Sequence, residues 1–256
     1  MGQPKSSDSR YSKVKYLKIM PTSVVIGGTR GIGKTVVEQL VRRGDIVYTA
    51  SRKDSQNKNH INFDISSENV QHLIATIEST INYLIFTHRY RGSKWDEEFE
   101  VTVKGVNIVI EALKSKFHGD ASVVIIGSNA SQFVFDEQSA EYHASRATLE
   151  ALTRYYAVVY GKKRIRFNSV LPCTIIKPEN ESFFTEDNDV RKMIERITPL
   201  GRMGNSQDIA NLVEFLCSDK SSFITGRSFL IDGGLSLVGQ ESIARDILNL
   251  KHPNAK

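Results

Sequence analysis

The sequence predicts one α/β domain built on a parallel sheet, and three observations lead there. From Ser23 to Ile231, short apolar runs rich in β-branched residues alternate with stretches of helical period, the pattern of strands joined by helical crossovers. A glycine-rich turn, Gly27-Gly28-Thr29-Arg30-Gly31-Ile32-Gly33, separates the first such run from the first helical stretch. Across 256 residues no Gly/Ser/Pro-rich linker and no repeat of fixed period divides the alternation, so a single domain over 23–239 is the economical reading.

Each element follows from its own pattern. Val24-Val25-Ile26 reads as a buried strand; Ile32, Val36, Val37, Leu40 and Val41 then share one helical face, and Gly44 stops the helix. Ile46-Val47-Tyr48 is a second strand and His60 to Phe63 a third, joined by a polar connection, Arg52 to Asn59, too short for a long helix. Ser66-Ser67 caps a helix with Val70, Leu73, Ile74 and Ile77 at the i, i+3, i+4, i+7 positions. Tyr83 to Phe86 is strand four. A helix starting near Asp96 gathers Phe99, Val103, Val106, Ile110 and Leu113 on one side, and Ser122 to Ile126 is strand five. A long helix covers about Ala140 to Tyr160, strand six is Ile165 to Leu171, and an irregular segment with a short helix spans Cys173 to Arg196. A helix capped at Ser206 buries Ile209, Leu212, Val213 and Leu216, and Ser228 to Ile231 closes the sheet. Residues 1–22 read as a basic flexible tail and 240–256 as a C-terminal tail.

Composition narrows the function classes. Residues of the AVILMFWYC set make up 40% and charged residues 25%, inside the globular range and away from the disordered one. No apolar run approaches the roughly 18 residues of a membrane helix, and no secretory leader pattern opens the chain. Two cysteines far apart and six histidines without ligand spacing indicate neither a disulfide framework nor a metal site. A reducing cytoplasm fits. Lys plus Arg exceeds Asp plus Glu by 34 to 29, and Lys5, Arg10, Lys13, Lys15 and Lys18 place part of that excess in the N-terminal tail. It reads as a solvated arm, with neither nucleic acid nor membrane as partner.

The glycine turn carries the first chemistry. Glycines let the backbone turn tightly and approach a ligand, and the helix that follows offers unpaired N–H groups and a positive dipole to a phosphate. Placed after the first strand of an alternating α/β pattern, the turn points to a dinucleotide. An acid at the end of the second strand would select an unphosphorylated adenosine ribose; this chain has Ser51-Arg52 there. Arg30 and Arg52 together match the oxygens of a 2′-phosphate, so NADP(H) is expected.

These residues resemble the short-chain dehydrogenase/reductase family from the glycine turn to Asp232-Gly233-Gly234. The family's turn is matched at Gly27, Gly31 and Gly33, with Ile26 where it usually has Thr. Asp64 resembles the acid that binds the adenine amino group, Asn168 to Pro172 the NxxxP segment, and Pro199-Leu200-Gly201-Arg202, Ile224-Thr225-Gly226 and Asp232-Gly233-Gly234 the C-terminal signature. The resemblance implies a single-domain Rossmann fold, a doubly wound parallel sheet of about seven strands in the order 3-2-1-4-5-6-7. It implies cofactor contacts from Gly27, Thr29, Arg30, Gly31, Ile32, Gly33, Ser51, Arg52, Asp64, Ile65, Thr87, Arg89, Tyr142, Arg146, Pro172 and Ile175.

It also implies hydride transfer between nicotinamide and a carbonyl or alcohol, with Tyr142 as acid. The family has Lys four residues after that Tyr; here the helix reads Tyr142-His143-Ala144-Ser145-Arg146. A spacing of four puts Tyr142 and Arg146 on one helix face, where a fixed cation favours the phenolate over its reference pKa of about 10. Arginine cannot give up a proton, so any relay through an ammonium is rerouted or lost. Counting from the Tyr gives Asn129 as the oxygen-binding residue and counting along the strand gives Ser128, which is favoured. The family's helix Asn falls at Thr102, assigned as the fourth catalytic residue. Its NNAG segment is Phe86-Thr87-His88-Arg89, with Arg89 either a phosphate or ribose contact or an obstruction. Its PG is Pro172-Cys173, and a cofactor-touching Thr is Lys177.

An NADPH-dependent carbonyl reductase is therefore expected. The alternatives are a catalytically silent relative that binds NADP(H) or a partner, and a non-redox enzyme on the same scaffold. Glu179, Glu181, Phe183, Phe184, Glu186 and Asp187 suggest a lid over an apolar substrate portion, or ordinary packing of a short helix. Ser206 to Gly234 resembles the family's subunit-contact region, which implies a homodimer or homotetramer.

Overall fold

The computed structural model describes residues 20–66 and 70–250. Seven of the strands among them are β1 (Thr22–Ile26), β2 (Ile46–Ser51), β3 (His60–Asn62), β4 (Ile81–Phe86), β5 (Phe117–Ile126), β6 (Arg166–Pro172) and β9 (Ser228–Ile231). They form one parallel sheet in the order β3-β2-β1-β4-β5-β6-β9, the predicted doubly wound arrangement. Alternate side chains along each strand serve opposite faces. Val24, Ile26, Val123 and Ile125 join one core and Val25, Val124 and Ile126 the other.

Helices cover both faces. On the first pack α2 (Val70–Thr76), α4 (Gly105–Leu113) and α5 (Ala140–Gly161), through Leu73, Val106, Ile110, Leu149 and Tyr156. On the second pack α1 (Gly31–Arg43) and α7 (Ser206–Leu216), through Val36, Leu40, Ile209 and Val213. Gly44 ends α1 in the left-handed region, φ 100°, with its N–H donating to the Leu40 and Val41 carbonyls, the glycine stop that the sequence pattern predicts. No helix among the described residues is long and apolar enough to cross a membrane.

Several boundaries differ from the sequence expectation. β1 begins at Thr22, inside the predicted tail, because Thr22 pairs in register with Ile46. β5 starts five residues early, at Phe117, where its polar exposed residues hide a strand. Asn205, not Ser206, caps α7: its side chain accepts from the Gln207 and Asp208 N–H groups in a capping box. The helix expected from Asp96 is three pieces, α3 (Trp95–Phe99), a π-helical turn (Glu100–Lys104) and α4. The irregular segment holds α6 (Asp189–Ile197) and a two-stranded pair, β7 (Ile175–Ile176) with β8 (Gly204–Asn205). A further helix, α8 (Gln240–Ile247), stands where the sequence reads as a C-terminal tail; Arg196 ties it to α6 through Asp246. The tail readings for 1–19 and 251–256 and the cap assigned to Ser67 lie outside the described residues.

Candidate active site

The carboxyl ends of β1, β2, β4, β5 and β6 open into a cavity of about 610 Å³, the crevice where open α/β sheets bind ligands and within the size range of small-molecule sites. From the glycine turn, Gly27, Thr29, Arg30, Gly31 and Ile32 line it. Ser51 at the end of β2 and Arg52 just past it come next, with Asp64 and Ile65 beyond β3, Thr87 and Arg89 after β4, Ser128 after β5, Pro172 at the end of β6 and Ile175 beyond it. Tyr142 and Arg146 of α5 complete the wall. Gly33 and Thr102 are the two predicted site residues absent from the lining. Gly33 serves packing: a Cβ there would collide with the Gly27 carbonyl and the Thr87 hydroxyl. Thr102 lies in the π-helical turn, buried behind the wall.

The turn is shaped for an anion. Gly27 sits at φ 90°, and a Cβ on it would come 2.6 Å from the His88 backbone nitrogen, so only glycine lets the chain pass that close. Arg30 is the N-cap of α1 but contributes no side-chain cap, and the first turn contains no acid, leaving the dipole's positive end uncompensated by its own sequence. Cations gather beside it. Burial lowers the Arg91 pKa, as do the Arg30 and Arg89 guanidiniums, with Glu179 opposing. Lys177 is likewise lowered, first by burial and then, against the pull of Glu179, by Arg89 and Arg91. At the far end Arg52 Nη1 stands 4.0 Å from Asp64 Oδ2, while Asp64 Oδ1 accepts from the Ser66 N–H and hydroxyl.

Tyr142 occupies the first turn of α5, with Arg146 one turn on. The Arg146 guanidinium carbon lies 4.7 Å from the Tyr142 ring centre and that of Arg89 5.0 Å, so two cations meet one phenol. Ser128 caps a short 3₁₀ turn: its Oγ accepts from the Ala130 N–H at 3.1 Å, and its hydroxyl reaches Asn129 Oδ1 only at 3.4 Å. The hydroxyl proton thus remains available to a better acceptor in the cavity.

Behind the wall is a carboxylate that sequence reasoning missed. Glu98 Oε1 accepts from Thr102 Oγ1 (2.8 Å), Ser145 Oγ (2.6 Å) and Arg146 Nη2 (3.1 Å). The side chains of Glu98 and Arg146 are each 3% exposed. Burial pulls the Arg146 pKa down, while Tyr142 and Glu98 act the other way; Arg146 Nε is buried without a hydrogen-bond partner. Arg146, expected to project toward a nicotinamide ribose, is therefore anchored at one end in the core. In sequence Glu98 closes the run Asp96-Glu97-Glu98, which reads as a solvated acidic helix start; nothing local singles it out.

A family model described as enoyl-(acyl carrier protein) reductase matches residues 27–236. The chain belongs to the short-chain dehydrogenase/reductase family. Among curated relatives, senescence-associated protein 13 of Arabidopsis thaliana is 30% identical over 85% of this chain and 91% of its own length. A tropinone reductase homolog of the same plant has the same identity and coverage. A short-chain dehydrogenase family protein from Francisella tularensis superposes with a TM-score of 0.75 at 26% identity, over 86% of this chain and all of that one. The ligand-free aldohexose dehydrogenase of Thermoplasma acidophilum, at 24% identity and a TM-score of 0.76 over 86% of this chain and 96% of its own, shares the fold.

The family uses a nicotinamide cofactor, and the residues present fit one: a glycine cradle that a Cβ would fill, an uncapped helix N-terminus and a cationic rim. The wall after β4 departs from the small residues expected there. His88 donates from Nε2 to the Val101 carbonyl, and its Nδ1 is buried without a partner. Burial, then the Arg146 charge, pushes its pKa from 6.5 down to about 4. The unfolded chain takes up a proton near pH 6.5, whereas the folded one resists until about pH 4. The His88 contribution to stability should thus be full above pH 6.5, fall as pH drops through that window by on the order of 3 kcal/mol, and level off below it. Denaturant melts across pH 7.5 to 4 should show a shallower fall in His88→Phe than in wild type; parallel curves would mean that the native imidazole is already charged.

Proposed function

We propose that this chain is an NADPH-dependent carbonyl reductase. The observation that carries the proposal is the placement of the Tyr142 phenol, under the Arg89 and Arg146 guanidiniums, in the same cavity as Ser128 and the glycine cradle. The nicotinamide, when bound, supplies the hydride that reduces a carbonyl carbon. Tyr142 gives its proton to the substrate oxygen, and the Ser128 hydroxyl donates to that oxygen and holds it in place. The cations over the ring attract the negative charge left on the phenolic oxygen. Arg146 holds its proton throughout, so Tyr142 is reprotonated from the open cavity rather than through its neighbour. Arg30 and Arg52, at the adenosine end, support selection of the 2′-phosphate; the exposed Lys53 beside them adds charge that no sequence motif points to.

A second reading, a silent relative that binds dinucleotide without turnover, is favoured by the Glu98–Arg146 pair, which neutralises the cation that would act on Tyr142. NADPH and NADH consumption across a panel of carbonyl compounds separates the two, with Tyr142→Phe as control. Turnover unchanged in that variant removes the assigned acid, and a preference for NADH removes the arginine clamp. Arg146→Lys distinguishes adapted chemistry, where activity falls, from a silenced site, where it rises by orders of magnitude over a negligible background.

Solvent-facing apolar residues support a homodimer or homotetramer. Phe223 is fully exposed within the predicted contact region, and Tyr155 and Val158 are exposed on the outer face of α5, more than a lone surface residue explains. Sedimentation equilibrium should return twice or four times the 28.7 kDa chain mass; a clean monomer at micromolar concentration refutes this.

A further inference from the structure

The glycine turn is not open. A Cβ built on Gly31, at the first position of α1, would lie 2.6 Å from Glu179 Oε1 and 3.1 Å from Oε2, so the carboxylate is seated against the N-terminus of the helix. The same Oε1 is 3.7 Å from Arg91 Nη2, and Glu179 also couples electrostatically to Lys177. It does not arrive there on a loose strand. Asn180 pins the turn: its Oδ1 accepts from the Lys177 N–H at 2.6 Å, its Nδ2 donates to the Ile175 carbonyl at 3.1 Å, and its own N–H donates to the Lys177 carbonyl. Phe184 is buried, and its carbonyl accepts from Arg191 Nη1 at 3.1 Å. With no side-chain cap and no acid in the first turn of α1, Glu179 brings from 148 positions along the chain (179 less 31) the negative charge that the helix start lacks.

We infer that Glu179 is an internal occupant of the phosphate cradle, a carboxylate standing where a dinucleotide's pyrophosphate binds and displaced by it. The inference rests on the dinucleotide reading of the site and adds an affinity-determining residue to it. Entry of the pyrophosphate exchanges one anion for another at the helix N-terminus, and it frees Arg91 and Lys177 to face the phosphate oxygens. Binding is then weakened by the contacts Glu179 has to surrender, and the Ile175–Phe184 segment moves as the cofactor seats. In the absence of cofactor the contact holds that segment closed over the glycine turn.

The test is the dissociation constant of NADPH, by fluorescence or calorimetry, for wild type, Glu179→Gln and the neighbouring exposed Glu181→Gln. Alongside it, thermal stabilisation by inorganic pyrophosphate reads the cradle without nicotinamide or catalysis. Glu179→Gln should bind NADPH roughly three- to tenfold more tightly, the effect of one carboxylate at a helix start, and should be stabilised by pyrophosphate more than wild type. Glu181→Gln should match wild type on both measures. Glu179→Asp, with the charge retained and one methylene fewer, should fall between. NADPH affinity equal or weaker in Glu179→Gln overturns the inference while leaving the dinucleotide reading intact. Pyrophosphate stabilisation that depends on Glu179, without dinucleotide binding in any variant, overturns the inference as stated together with the proposed reductase, and leaves Glu179 as the occupant of a cradle for free anions. No response to either ligand in any variant refutes both.

Discussion

Glu98→Gln should lower the thermal unfolding midpoint by roughly 6–20 °C. The amide keeps the shape and an acceptor oxygen, but removes the charge that compensates Arg146, whose side chain is 3% exposed. An ion pair buried to this degree contributes little relative to an apolar replacement, whereas deleting one partner strands the other and costs about 3–5 kcal/mol. For a chain of 256 residues each kcal/mol moves the midpoint by about 2–4 °C. Three donors converge on Glu98 Oε1, so Thr102 and Ser145 also lose strength in their hydrogen bonds. The measurement is calorimetric or denaturant unfolding of Glu98→Gln, Arg146→Met and the double variant. The cycle should show strong coupling, with the double variant recovering much of the loss. A single variant within about 0.5 kcal/mol of wild type would mean that Arg146 finds other compensation.

Tyr142→Phe should lose at least 10²-fold in kcat, and up to about 10⁴-fold, the range over which a positioned acid contributes. The phenylalanine ring keeps its place under Arg89 and Arg146, and cation–ring attraction depends on the ring face rather than the hydroxyl. NADPH affinity should therefore change by less than about threefold, and the unfolding midpoint very little. That split, kcat lost with binding kept, is the mark of a group acting in the transition state. If kcat and NADPH affinity collapse together, Tyr142 is a structural element of the cofactor site and the acid lies elsewhere.

Much of the site is legible in the amino-acid sequence because its cues are local. The strand, glycine turn and helix announce themselves within twenty residues, and helical period alone places Tyr142 and Arg146 on the same side of α5. Boundaries are less legible where local cues conflict. The polar start of β5 reads as loop until Phe117 is seen paired with Ile81, and the π-helical turn at Glu100–Lys104 leaves no mark in a sequence whose apolar spacing suits a continuous helix.

The amino-acid sequence by itself determined the succession of the seven sheet strands, the glycine turn and the tyrosine with its arginine one helical turn away. Each depends on residues close enough along the chain to be constrained by backbone geometry. The tertiary structure decided what those groups face. Glu98 meets Arg146 across 48 positions because α3 packs against α5, and Glu179 reaches Gly31 because a turn pinned by Asn180 folds back over the sheet's carboxyl edge. Charge interactions depend on separation and burial in space, and neither quantity is encoded in the spacing of residues along a chain.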